Sequence, residues 1–170
     1  RPGGHQRLFE TAWMQFQQHH AAWVRGAAAA GTQALSPVST ARAVLLPDDA
    51  FELLSDEVVE SRIAAARMAQ AMGEQVHPAF APLRQRLQFL EGRELPGNDI
   101  LQPETLCLLL VGEWGKASLS RSDLALVTEP MQRALAHLLQ HLYAKGNDFL
   151  TGQGVAAQKE LRVRVKQSPA

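Results

Sequence analysis

The chain has 170 residues, 46% of them hydrophobic, which is enough for one domain with a core and short for two. Seventeen basic residues balance seventeen acidic ones, so the formal net charge is zero. We expect no nucleic-acid partner, because counterion release favours an excess of Lys and Arg in such proteins. No apolar run approaches the roughly 18 residues of a membrane span. Cys107 is the single cysteine, which excludes an internal disulfide and favours a reducing, cytoplasmic location.

Good helix formers dominate the sequence, and strand patterns are weak. The first predicted helix spans about residues 6–30, and Gly31 is its expected stop. Its apolar face is marked by residues spaced by three and four: Phe9, Trp13, Phe16, His20, Trp23 and Ala27.

Proline and turn residues divide the middle of the chain. Residues 32–47 are predicted to be a connector, followed by a short helical turn over 48–54 that an aspartate caps. A helix over about 55–75 comes next. We expect Pro78 and Pro82 to interrupt it, because proline lacks the amide hydrogen and restricts the residue before it.

Pro82 is then expected to begin a helix that ends at Glu91 and is closed by Gly92. Residues 93–102 are predicted to be a turn-rich loop, and a further helix begins at Pro103 and ends near Gly115.

The last predicted helix begins at Ser120, which forms an approximate capping box with Asp123, and Ser122 is an alternative cap. It ends at Gly152 and Gly154, and Pro130 is expected to kink or split it. Together these elements predict an all-α, single-domain bundle of five or six helices with proline-broken segments.

The bundle is predicted to span residues 1–155, and residues 156–170 form a basic C-terminal tail that is either a solvated helix or a loose end. Because the chain begins at Arg1, we expect it to be a piece of a longer protein.

Three stretches resemble a proteobacterial family known as domain of unknown function 1631. They are Leu45 to Glu52; Leu83 to Leu95 with Asn98, Pro103, Glu104, Leu106 and Cys107; and Leu142-Tyr143 with Asn147, Leu150 and Gly154-Val155. The resemblance covers about residues 45–155. One difference is Asn98-Asp99, where the family favours Asn-Pro.

The resemblance implies a long, mainly helical, cytoplasmic bacterial protein of which this chain is an internal segment. It supplies neither an activity nor catalytic residues.

Few residues are candidates for a metal site or for catalysis. His137 and His141 lie four apart on a helix, so both rings can reach one metal ion, with a third ligand such as His77 needed from elsewhere. A zinc protease needs glutamate directly after the first histidine, where Leu138 stands. Cys107 lies in an apolar run and is expected to be a buried, inert thiol. We therefore predict no catalytic residue and no cofactor, and an enzyme is the third-ranked interpretation.

Phe9, Trp13, Phe16 and Trp23 are the candidate interface residues. This aromatic face either packs on the protein's own core or docks in a groove on a partner or a second copy. The leading hypothesis is a non-catalytic helical protein–protein interaction or regulatory scaffold module of a larger bacterial cytoplasmic protein. The loop over residues 93–102 is a second predicted contact surface.

The alternative hypothesis is a small-ligand or nucleotide-sensing helical domain. Arg84, Arg86 and Arg93 are its candidate anion contacts, because guanidinium groups bind phosphate bidentately.

Overall fold

A computed structural model describes residues 3–36 and 56–157. Within these ranges the chain is all-helical, as predicted, and contains four helices where the sequence predicted five or six. They are α1 (Gly3–Ala34), α2 (Asp56–Glu91), α3 (Pro103–Lys116) and α4 (Arg121–Gly152). The predicted turn over 48–54 and most of the predicted basic tail lie outside the described residues.

Three prolines lie inside helices. Pro78 and Pro82 do not interrupt α2, contrary to the prediction, and Pro130 does not split α4, which is one of the two outcomes predicted for it. Each proline removes the hydrogen bond to the carbonyl four residues earlier, on Glu74, Pro78 and Leu126 respectively. All three of these residues are exposed, so water can bond to the released carbonyls. The helices predicted over about residues 55–75 and 82–91 are therefore one helix, α2.

Glycine ends two of the described helices, but α1 continues through the glycine that was expected to end it. Gly92 has φ 66° and follows the last residue of α2, as predicted. Gly31 was the expected stop of α1, but α1 continues through it to Ala34. A helix interior accepts glycine at a loss of about 1 kcal/mol relative to alanine, so glycine alone does not impose an end.

The described chain divides into two compact units, and α2 and α4 each contribute a segment to both. The first unit holds residues 3–36, 56–70 and 98–131, and the second holds 71–97 and 132–157. The first unit's core combines residues of α2, α3, α4 and the α3–α4 connection: Ala65, Met68, Cys107, Val111, Trp114, Ala117, Leu119 and Leu124.

The connection from α3 to α4 is short and closely bonded. Ser118 has φ 62°, in the left-handed region. Its amide and that of Leu119 donate to carbonyls in the last turn of α3 at 3.1 and 3.3 Å, which is the Schellman pattern. Ser120 then caps α4, because its Oγ accepts the Asp123 amide at 3.1 Å. Of the two predicted caps, Ser120 is the one that the structure confirms.

The loop before α3 turns at Asp99. The Asp99 carboxylate accepts the Leu101 amide at 2.8 Å, and the Asp99 carbonyl accepts the Gln102 amide at 3.0 Å. An aspartate at this position can therefore form the turn that leads into α3 through its own side chain.

In the second unit the segments of α2 and α4 run in the same direction. The rings of Phe80 and Tyr143 lie 5.1 Å apart, and Leu83 lies over Gly146, where an added Cβ would be 3.1 Å from its Cδ1. Residue numbers increase together along both helices, so the pair is parallel. Gly146 lets the two helices approach at this point.

A Schellman motif also ends α4. Gly154 has φ 83°, its amide donates to the Thr151 carbonyl at 3.0 Å, and the Val155 amide donates to the Leu150 carbonyl at 2.9 Å. Val155 is buried. The predicted stop at these glycines is confirmed, and the chain turns back after it.

We expect Gly154→Ala to lower the free energy of unfolding by about 1 kcal/mol, because an L residue in the left-handed region is strained by about that amount. An added Cβ meets no atom of the described residues within 4 Å, so backbone strain is the cause of the expected loss. Gly152→Ala is the matched control: its Cβ is also unobstructed, but its backbone is helical. We expect this control to be neutral or stabilising in urea denaturation. Equal losses of unfolding free energy in both variants would contradict the left-handed conformation assigned to Gly154.

Candidate functional site

The aromatic residues predicted as an interface divide into two pairs. Phe16 and Trp23 are half-buried and pack on Trp114 of α3, with ring centroids 6.0 and 5.1 Å from it. The Trp23 indole also donates to the Leu110 carbonyl at 2.9 Å. This pair anchors α1 on α3, and packing on the protein's own core accounts for it.

The other pair faces outward. Phe9 is 58% exposed and Trp13 is 59% exposed, and their neighbours Leu8 and Met14 are exposed to a similar degree. We call these four residues the α1 apolar surface. The Trp13 ring stacks on Phe16 at a centroid distance of 6.1 Å. The exposed pair is therefore held by the anchored pair on one continuous helix.

A groove of about 1130 Å³ lies in the same unit, between the first part of α2, α3 and the beginning of α4. Val58 and Ile63 of α2 line it and remain exposed. Its apolar floor consists of buried side chains: Met68, Val111, Trp114, Leu119 and Leu124. The sequence alone does not indicate this groove, because its walls come from separate parts of the chain.

Four basic and two acidic side chains line the groove: Arg62, Arg67, Lys116, Arg121, Glu57 and Glu60. Arg121 is ion-paired with Glu60 and donates to the Glu57 carbonyl at 2.6 Å, which ties α4 to α2. Lys116 is paired with Glu113 at 2.7 Å.

Arg62 and Arg67 differ from the other basic residues of the groove. Both are exposed, and neither has a hydrogen bond or ion pair within the described part of the chain. The groove therefore carries positive charge that the described residues do not neutralise.

Arg86, one of the predicted anion contacts, is buried in the second unit and only 4% exposed. Its Nε donates to the Val155 carbonyl at 3.1 Å, and its Nη1 donates to Asn147 Oδ1 at 2.6 Å. Asn147 Nδ2 donates in turn to the Ala79 carbonyl at 2.7 Å. This network satisfies a buried charge and ties the end of α4 to α2, which is a structural role.

The other two predicted anion contacts have different surroundings. Arg93 is exposed, and its Nε lies 3.1 Å from Glu91 Oε2. Arg84 is half-buried, and its Nε is buried without a hydrogen-bond partner among the described residues. The three arginines thus have no shared partner among these contacts.

The candidate metal ligands His137, His141 and His77 are all exposed. Among the described residues, no group of three or more His, Cys, Asp or Glu side chains is arranged to hold a metal ion. Across residues 3–36 and 56–157, no helix combines the length and apolar character that a bilayer crossing needs.

Cys107 is fully buried in the first unit. Burial, and secondarily the charge of Glu104, raises the pKa of its thiol from 9.0 to about 11. Because the thiolate is the reactive form, this environment suppresses reactivity at neutral pH.

We expect Arg86→Ala to lower the free energy of unfolding by about 3 kcal/mol, because it leaves a buried carbonyl and a part-buried amide oxygen without their donor. Arg93→Ala is the control and should change it by less than about 0.5 kcal/mol, since its ion pair is exposed. Urea denaturation compares the two. Similar losses would show that the buried network contributes nothing beyond a surface pair.

We expect native Cys107 at pH 8 to react with iodoacetamide at least about 100-fold more slowly than in the urea-unfolded chain, because a pKa two units higher leaves that much less thiolate. Alkylation followed by mass spectrometry measures both rates. The native rate should rise as the pH approaches 11. Equal alkylation rates in the native and unfolded chains would show that the Cys107 thiol is neither buried nor raised in pKa.

Residues 2–154 match the family described as Protein of unknown function (DUF1631) N-terminal domain. The match extends over α1, which lies before the stretches on which the sequence resemblance rests. No curated protein matches the chain, and no solved structure matches it. The chain belongs to the DUF1631 N-terminal domain family.

Proposed function

We propose that this chain is a helical protein–protein interaction module. The observation that carries the proposal is the divided aromatic face of α1, in which Phe9 and Trp13 are exposed while Phe16 and Trp23 are anchored on Trp114. The anchored pair fixes the helix, so the exposed pair is presented without further ordering. Binding by a preorganised surface loses less conformational entropy.

The partner we propose for the α1 apolar surface is a protein with an apolar groove. Phe9 and Trp13 are four residues apart, which places their side chains on one side of the helix, as in anchors that insert into such grooves. Burying a large apolar side chain contributes about 1.5–3 kcal/mol. Tryptophan and other large aromatics often supply most of the binding energy of an interface.

Within this proposal the module serves a scaffolding or regulatory role in a larger, cytoplasmic bacterial protein. The support for that context is the resemblance stated from the sequence and the single buried cysteine. The alternative, a small-ligand or nucleotide-sensing domain, has less support, because the Arg86 guanidinium is already bonded to Val155 and Asn147.

We expect the double variant Phe9→Gln, Trp13→Gln to keep the native thermal midpoint and lose its bound partner, because both side chains are exposed. The measurement is quantitative mass spectrometry of proteins captured from a native lysate of the source cells. Light scattering of the purified protein tests self-association.

Val24→Gln is the matched control, because Val24 is also exposed on α1 but lies outside the α1 apolar surface. It should capture the same proteins as the unmodified chain. The proposal is wrong if the double variant and the control capture the same proteins in the same amounts.

A further inference from the structure

We propose that the groove of the first unit binds an acidic amphipathic α-helix of a partner protein. This site shares no lining residue with the α1 apolar surface. It would therefore give the module a second partner of defined chemistry, and it stands whether or not the α1 apolar surface binds anything.

The size of the groove suits a helix. A helix has a diameter of at least about 10 Å and rises 1.5 Å per residue, so about ten residues occupy roughly 1200 Å³. The groove measures about 1130 Å³ and is partly open to solvent. Pockets for small molecules usually measure about 300–1000 Å³ and enclose most of the ligand.

The apolar lining provides the surface that an amphipathic helix covers. Trp114 and Met68 form part of a buried floor, whereas Ile63 remains 46% exposed and Val58 is also exposed. An apolar helix face placed here removes these exposed side chains from water, which is the usual driving force for helix-in-groove binding.

The charge of the groove selects an acidic partner. Of the groove's four basic side chains, Arg121 and Lys116 are paired with glutamates, whereas Arg62 and Arg67 have no partner among the described residues. Glutamate or aspartate on the flanks of the bound helix can accept bidentate hydrogen bonds from these guanidinium groups. A basic helix would face uncompensated like charge in the same positions.

Two glycines of α3 support a close approach. Gly112 and Gly115 are one turn apart and line the groove, and an added Cβ at either position would meet no atom within 4 Å. Glycine in a helix is less favourable than alanine by about 1 kcal/mol. Packing within the described chain does not require either glycine, whereas a helix backbone placed over α3 would.

The test uses the full chain and fluorescently labelled synthetic peptides of about 20 residues, long enough to be helical when bound. One peptide is an amphipathic sequence of leucine and glutamate, the second replaces glutamate by lysine, and the third has the first composition in a non-amphipathic order. We expect fluorescence anisotropy to show at least tenfold tighter binding of the first peptide, weakened by salt.

Charge reversal tests the arginines. Arg62→Glu with Arg67→Glu should weaken binding of the acidic peptide at least tenfold and strengthen binding of the basic peptide. Arg25→Glu, at an exposed position on α1 outside the groove, should change neither affinity.

Gly112→Leu separates binding from folding. Because leucine favours the helix and nothing obstructs its Cβ, the thermal midpoint should stay the same or rise while peptide affinity falls at least tenfold. Gly31→Leu is the control, since its Cβ is also unobstructed but it lies outside the groove. It should leave peptide affinity unchanged.

Three outcomes overturn the inference. The first is no binding of the acidic peptide at about millimolar concentration. The second is a peptide affinity that does not change with the charge of the peptide or with the Arg62 and Arg67 substitutions. The third is binding of oleate, but not of any peptide, with loss of oleate binding in the arginine variants, which would make the groove a lipid site. The Phe9 and Trp13 double variant should bind the acidic peptide normally, so failure here leaves the proposed function of α1 intact.

Discussion

The first unit depends on the position of the Trp114 side chain. Its indole N–H donates to the Ser120 carbonyl at 2.8 Å, and Ser120 also caps α4, so one hydrogen bond fixes the end of α3 to the beginning of α4. The indole rings contact Phe16 and Trp23, which hold α1 on α3. The same side chain forms part of the groove floor. This fully buried tryptophan therefore holds α1, α3 and the beginning of α4 together.

The two units use different interactions for the same task of closing a helix end. In the first unit, Ser118 takes a left-handed conformation that disfavours any side chain, and burial of Ala117 and Leu119 on either side offsets the strain. In the second unit a glycine supplies the left-handed turn, and Arg86 donates to the carbonyl of Val155 just beyond it. A buried charge is stable there because carbonyl and amide oxygens accept its hydrogen bonds.

The sequence correctly predicted those helix starts and ends that depend only on neighbouring residues. The Ser120 cap, the Pro103 start and the left-handed glycines Gly92 and Gly154 depend on a few neighbouring residues, and these predictions are confirmed. The effect of an internal proline has a tertiary cause, because it depends on whether the carbonyl released four residues earlier is exposed. Exposure is a property of the folded unit, so the sequence alone did not indicate that α2 continues through Pro78.

The candidate surfaces were predictable only in part for the same reason. Helical spacing placed Phe9 and Trp23 on one face, but only the contact with Trp114, distant in the sequence, determines which of them is anchored and which is exposed. Since Trp114 supports α1 and also forms the groove floor, a substitution there would disturb both surfaces together. Only exposed positions on each surface, such as Trp13 and Ile63, can therefore separate the binding roles from the stability of the unit.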